Sequence, residues 1–472
     1  MKSNQKASKT KWFGIEIRQL AWLTIGCWIL CDTSWSQESS TQWYRGNLHT
    51  HSFWSDGNDF PEMITKWYVD HGYHFLALTD HNVLSQGERW MDLAAIEQRA
   101  GKSAMDKYLA EFGDEWVETR EKPKPPVKAA KDGAKQATDG RKGSNETRSE
   151  EKSEDTEVAQ QVRLRGLEEF RGKYEATGKF LMIAAEEISD RAQGVPVHMN
   201  AMNLQKLISP VGGSTVVEAI NNNLRAAEEQ AKETGHPIMV HLNHPNFGWA
   251  VTAEELAEVT NERFFEVYNG HPSINHLGDS TRPGVEKMWD IANTIRIAEL
   301  KAHPMFGLAT DDSHHYHGHP NRDARTGRGW VMVRAKNLSP EALIGAMNAG
   351  EFYSSSGVEL ESVEFESTER VFSLKIKPLP GVTYTTQFVG TRKSYDKSST
   401  VQLDADGKPR RVSRVYSEDV GTVLMTSDAL EPIYQFAGDE LFVRAVVTSS
   451  RVHPNPSFKN QKEQAWTQPV GW

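Results

Sequence analysis

Between Trp43 and Gly357 the chain alternates short apolar runs with amphipathic stretches. WYRGNLHTH (43–51), FLALTDH (75–81), FLMIAAEEIS (180–189), VHMNAMNL (197–204), PIMVHLNH (237–244), FFEVYNG (264–270) and MFGLATDDSH (305–314) have the length and apolar content of buried strands. Among the intervening segments, Pro61 to His71, Ser214 to Thr234 and Gly284 to Lys301 carry apolar residues at helical spacing. Strand and helix in alternation predict an α/β fold, either barrel-like or an open parallel sheet. Polar residues gather at the strand ends, where such folds carry their chemistry.

Three segments depart from this pattern. From Glu121 to Val158 there is no aromatic residue, and Val127 and Val158 are the only large aliphatics. So little apolar surface cannot offset the entropy of ordering, and residues 121–158 are expected to be a disordered charged insertion. From Val358 onward the helical periodicity stops, and VEFESTERVFSLKIKPL, TYTTQFVG and ELFVRAVVTSS read as strands between turns. Residues 358–472 are therefore expected to form a small β-sandwich-like domain. At the N-terminus, basic residues precede the apolar run Leu20 to Leu30, which is followed by small residues near Ser34 and Ser36. That is the layout of a secretory signal over residues 1–36, with a run too short to span a bilayer comfortably. A secreted or periplasmic protein follows, with no stable membrane span after cleavage.

Composition narrows the chemistry. The 472 residues hold 54 Lys and Arg against 64 Asp and Glu, a net charge of −10, which argues against a broad nucleic-acid-binding surface. Both cysteines, Cys27 and Cys31, fall in the signal segment, so a thiolate metal site or cysteine nucleophile is not expected. Histidine is abundant instead, with 17 copies.

Several histidines stand beside carboxylates at strand ends. His49 and His51, two apart in an extended run, point to one side and suit chelation of a borderline metal. Asp56 follows in SDG, and Asp80 and His81 end the next apolar run. Glu187 closes LMIAAEE on the side opposite Glu186, so one of the pair faces the pocket. His198, His241 and His244 follow, and in TDDSH the alternation places Asp312 with His314 and turns Asp311 away. Glu266 and Asn269 end another strand within reach of the same region. Arg325 and Arg328 in ARTGRGW offer guanidinium forks for a substrate phosphate. His315, His317 and His319 read as a flexible polar loop.

The order HTH, SDG, TDH, EIS, a later strand histidine, HP and D-x-H resembles the PHP superfamily of polymerase and histidinol phosphatase domains. The resemblance covers Trp43 to about Gly357, interrupted by the charged insertion. It implies a distorted seven-stranded α/β barrel holding two or three metal ions and hydrolysing phosphate mono- or diesters. Carried over by motif, the metal ligands are His49, His51, Asp56, His81, Glu187, His198, His244, Asp312 and His314. Many family members have a histidine near the Asp56 position. A mixed nitrogen and oxygen donor set suits manganese, zinc or iron. Asp80 and His241 then become groups that orient ligands, and the partner is a small phosphorylated substrate or an oligonucleotide. Amidohydrolase-type barrels, which cleave C–N bonds, also use His-x-His with later His and Asp, but TDH and EIS are not their motifs. A non-catalytic extracellular binding protein is the remaining alternative, and the full donor set argues against it.

Overall fold

All seven apolar runs form strands: β1 (Gln42–Asn47), β2 (Phe75–Leu78), β3 (Leu181–Ala192), β4 (Val195–Met202), β5 (Met239–Leu242), β6 (Phe264–Asn269) and β7 (Phe306–Thr310). The computed structural model describes residues 41–123, 159–318 and 323–472. The expected signal, residues 1–36, and residues 124–158 of the expected insertion lie outside the described residues. The insertion begins later than Glu121, because Glu121 pairs with Gln160 at the end of a small antiparallel sheet and the Lys122 amide donates to the Ala159 carbonyl at 2.7 Å. No helix among the described residues is long and apolar enough to cross a membrane.

Six later strands are β8 (Trp330–Ala335), β9 (Phe352–Ser355), β10 (Tyr384–Arg392), β11 (Thr422–Ser427), β12 (Glu440–Val452) and β13 (Lys462–Thr467). Among the described residues all thirteen belong to one sheet, in the order β7-β6-β5-β4-β3-β2-β1-β8-β9-β13-β12-β10-β11. The fold is mixed α/β. Strands β1, β2 and β3 run parallel, as do β5, β6 and β7. Between those sets the sheet is antiparallel rather than parallel throughout. Gln193 and Gly194, with φ of 51° and 81°, turn the chain directly from β3 into β4. A two-residue turn with both φ values positive matches the twist of a hairpin and leaves no room for a crossover helix.

One end of this sheet curls back on itself. Thr50, past β1, bridges Ser313, past β7. The Asp312 amide donates to the His49 carbonyl at 3.0 Å, and the His51 amide donates to the Ser313 carbonyl at 2.9 Å. The C-terminal ends of β7, at the edge of the sheet, and β1, in its middle, therefore meet where the histidines lie.

Helices α1 (Pro61–Asp70), α2 (Val216–Thr234) and α3 (Val285–Ile295) form within the three stretches of helical spacing, and α4 (Pro340–Asn348) is a further helix. The Thr215 hydroxyl caps α2 by accepting from the Glu218 amide at 3.1 Å, and Gly235 ends it in the left-handed region at φ 71°. Val216, Ala219, Ile220 and Leu224 of α2 and Trp289 of α3 pack with Leu242, Phe265 and Val267 of the strands. A second layer of Phe75, Ile183, Met239, Phe264, Leu308 and Val331 fills the space among the strands.

The C-terminal region joins this body through paired strands, β13 bonding to β9. Its outer layer is a three-stranded antiparallel sheet of Leu360–Glu366, Val371–Ile376 and Ile433–Gln435. Phe372, Leu374 and Ile376 of that layer share a core with Tyr384, Phe388, Val443 and Val447 of the large sheet. Arg444 on β12 reaches into the other part of the protein. It is buried and donates to both Asp290 carboxylate oxygens at 2.7 and 2.8 Å, and to Glu286 at 3.2 Å.

Arg296, just past α3, is also fully buried and gives its protons to the carbonyls of His303, Val259, Thr260 and Glu262. The Glu262 carboxylate beside it accepts from the Arg263 and Phe264 amides through Oε1. Burial pushes the Glu262 pKa up to about 8, beyond what those bonds and Arg296 offset. Between the ordinary value near 4.5 and about 8, the folded chain keeps a proton that the unfolded chain releases. Stability therefore falls as pH rises through that window, by at most ~1.4 kcal/mol per pH unit. Glu262→Gln should flatten this slope and be the more stable form above it. Denaturant titrations near the two ends of the window check this, and an unchanged slope would contradict it.

Candidate metal centre

The first histidines sit where β1 runs on past its last strand residue into the curled end of the sheet. His49 and His51 are fully buried, with their Nε2 atoms 3.1 Å apart. Glu187 on β3 lies between them and three further imidazoles. Its oxygens are 3.6 Å from His49 Nε2, 3.4 Å from His51 Nε2, 2.6 Å from His81 Nδ1, 3.1 Å from His198 Nδ1 and 3.6 Å from His244 Nε2. Asp312 closes the other side, with one oxygen 3.3 Å from His49, 3.4 Å from His51 and 3.5 Å from His314. Asp56 stands at the mouth, more exposed, 3.5 Å from His81 and 3.4 Å from His314.

The nine side chains expected as ligands thus converge. They fall into four overlapping groups whose donor atoms lie within 4.8 Å of one another: His51, Asp56, His81 and His314; His49, His51 and Glu187; His49, His244 and Asp312; His81, Glu187 and His198. Two backbone features complete the convergence. His244 and Asp312 follow the ends of β5 and β7 and adopt φ of 22° and 47°. Such positive φ is uncommon outside glycine and re-aims the side chain just past the end of each strand.

Hydrogen bonds fix which nitrogen two of the rings offer. His49 Nδ1 donates to Glu266 Oε1 at 2.7 Å, leaving the Nε2 lone pair toward Glu187 and Asp312. His314 Nδ1 donates to the Asp312 backbone carbonyl at 2.9 Å, leaving Nε2 toward Asp56. Glu266 also accepts from Thr310 Oγ1, the His244 amide and Asn269 Nδ2. Asn243 Nδ2 donates to Glu187 Oε1 at 2.7 Å.

Electrostatics separate each inward carboxylate from its neighbour. Burial raises the pKa of Glu187, but His81, His198 and His49 outweigh it and hold the group well below the ordinary carboxylate range. Glu186 has no such partners. Its Oε1 accepts from the Ile208 amide, and burial pushes its pKa up to about 7. Asp312 is likewise held low against burial, chiefly by His49 and His51. Asp311 turns outward, accepts from the Gly327, Arg328 and Gly329 amides and from the Tyr68 hydroxyl, and is raised by burial.

Asp80 accepts from the Ser52 amide and the Ser52 and Ser55 hydroxyls, and Ser55 Oγ lies 3.3 Å from His51 Nδ1. It therefore holds the loop that carries His51. The buried His241 ring packs edge-on against His49 with centroids 6.5 Å apart, and burial pushes its pKa down to about 4. The two arginines lie elsewhere. Arg325 is exposed and paired with Asp323, lining a separate depression with Trp67 and Lys107. Arg328 is buried and commits its fork to the Gly270 carbonyl and to Asn455, so the phosphate-holding role expected of it does not fit its position.

The donors fit divalent transition metals. Glu187 Oε2 and His198 Nδ1 are buried and form no aligned hydrogen bond, although ring and carboxylate atoms stand 2.6 and 3.1 Å away. Buried donor atoms gathered around common centres, some of them without an aligned hydrogen bond, are what the ligand shell of a cation looks like, and their mixture of nitrogen and oxygen suits a borderline ion. Chelation should therefore lower the midpoint of thermal unfolding, by an amount set by metal affinity, and re-addition should restore it. An unchanged midpoint on chelation, measured by scanning calorimetry, would count against the site.

Above these donors is a cavity of about 310 Å³, completed by Phe247, His271, Ile274 and His315. Of these, Phe247, His271 and Ile274 were not singled out in the sequence, and His271 is the titratable one.

No family model matches the chain, and no curated protein matches it in sequence. Among solved structures, it is similar to a two-domain protein from Bacteroides vulgatus containing a predicted PHP-like metal-dependent phosphoesterase. That similarity spans 91% of this chain and 96% of the other, at 14% identity and a TM-score of 0.35.

Proposed function

We propose that this protein is a PHP-type, metal-dependent phosphoesterase that hydrolyses phosphate mono- or diesters. The observation that carries the reading is the convergence of His49, His51, Asp56, His81, Glu187, His198, His244, Asp312 and His314 in overlapping donor groups, seven of them lining one pocket, in the motif order of that family. The seven strands β1 to β7, adjacent in the sheet and joined at the mouth by the Thr50–Ser313 bridge, support a distorted seven-stranded barrel.

Two or three divalent ions of manganese, zinc or iron, when bound, would supply Lewis acidity at phosphorus and an activated water. The chain's own residues hold them in place. Glu187 and Asp312 remain anionic and bring negative charge into a buried site, where it offsets that of the cations. Glu266 fixes the His49 tautomer, and Asp80 holds the His51 loop through Ser52 and Ser55. The 310 Å³ cavity is sized for a small ester or for the end of an oligonucleotide. The N-terminal segment supports secretion or a periplasmic location.

Phosphate release by metal-loaded protein across sugar phosphates, nucleotides, cyclic phosphates and short oligonucleotides, beside amide and lactam substrates, tests the reading. Release from at least one ester class, abolished by chelation, is expected. Cleavage of the amides alone would replace it with an amidohydrolase activity.

A further inference from the structure

His271 lies in the wall of the metal pocket, yet its hydrogen bonding sets it apart from the ligands around it. The turn that carries it is tightly built. The Asn269 side chain accepts from the His271 amide at 2.8 Å and donates to Asp312 at 3.0 Å, and the Ile274 amide donates to the His271 carbonyl at 3.2 Å. Within that turn the Ser273 amide donates to His271 Nδ1 at 3.1 Å. An Nδ1 that accepts holds its lone pair there, so in the neutral ring the proton sits on Nε2. His49 and His314 are arranged the other way, with Nδ1 donating and the Nε2 lone pair offered inward. His271, in the wall of that pocket, thus carries its proton on Nε2, the reverse of His49 and His314. Among the described residues, Nε2 has no hydrogen-bond partner.

A fixed donor beside clustered cation ligands is suited to an anionic oxygen of the molecule that the cations also hold. Beside it, Phe247 and Ile274 give the same cavity an apolar wall, and the Phe247 ring packs against His244 at 5.1 Å between centroids. Resting on the phosphoesterase reading above, we propose that His271 donates Nε2–H to a phosphoryl oxygen of the substrate and turns the ester so that an apolar or aromatic alcohol lies along Phe247 and Ile274.

Calorimetric titration of inorganic phosphate into metal-loaded full-length protein tests the donor independently of turnover. His271→Phe should keep the metal content of the wild type and bind phosphate about 10- to 100-fold more weakly, the range for a hydrogen bond to a charged group. His271→Gln, which can still donate, should recover part of that loss. Phe247→Ala should raise KM for phenyl phosphate several-fold, roughly the effect of removing an apolar contact, and leave methyl phosphate unchanged. Unaltered phosphate affinity in His271→Phe, or loss of metal in His271→Gln, would overturn the proposal while leaving phosphate release by the wild type intact. Absence of release from every ester by the wild type would instead overturn the phosphoesterase reading, and this proposal with it.

Discussion

Glu187→Gln is expected to strip the protein of most of its metal and, with it, its hydrolytic activity. The carboxylate is fully buried and lies within 3.6 Å of five imidazoles, so the change removes the charge around which the site is organised while preserving shape. The loss should exceed the roughly 10- to 100-fold that follows removal of groups that merely orient ligands. Glu186→Gln is the control, since Glu186 is equally buried but bonds the Ile208 amide away from the pocket. Asp312→Asn and Asp311→Asn should behave as the corresponding second pair. Metal stoichiometry and phosphate release across the four variants check the ranking. If Glu186 or Asp311 proved the more damaging position, the ligand assignment at that strand would be wrong by one residue.

The second large effect is on stability. Arg444→Ala is expected to destabilise the fold by about 3–5 kcal/mol, because Asp290 would remain buried without its partner. Replacing both members with apolar residues, as in Arg444→Met with Asp290→Leu, should recover much of that loss, since the desolvation of both charges is then removed. Chemical denaturation of the three variants measures the difference. A near-neutral Arg444→Ala would mean that the contact between β12 and α3 contributes little to holding the C-terminal strands to the rest.

Much of the site was legible because strand geometry is periodic. Alternation alone sets Glu187 inward of Glu186, and the apolar runs mark all seven strands from β1 to β7 to within a few residues. Other parts depended on features that periodicity does not carry. The inward turn of His244 arises from a positive φ after β5, where His241 and His244, three apart, would otherwise point to different sides. Asp312, which alternation also places inward, shares that positive φ. The β3–β4 hairpin was hidden because Gln193-Gly194 is a weaker turn signal than Asn-Gly or Asp-Gly, although both residues adopt the required conformation.

Long-range partners were the least legible. Glu266 could be placed at a strand end, but that it gathers four donors is a fact of packing. Arg328 was expected at the substrate because a guanidinium fork just after the last ligand motif suits a phosphate, whereas the structure buries it against Gly270 and Asn455. The Asn455 contact crosses 127 positions of sequence, beyond the reach of any local pattern. His271 follows FEVYNG directly, and the signal that could have found it is its position just past β6, as His244 and Asp312 lie just past β5 and β7.

Elemental analysis of the purified full-length protein tests the metal centre most directly. After manganese or zinc is supplied and excess removed, at least two transition-metal ions per chain are expected, falling sharply in Glu187→Gln but not in Glu186→Gln. No more than trace metal in the correctly folded wild type would contradict the assignment of these nine residues as a metal centre.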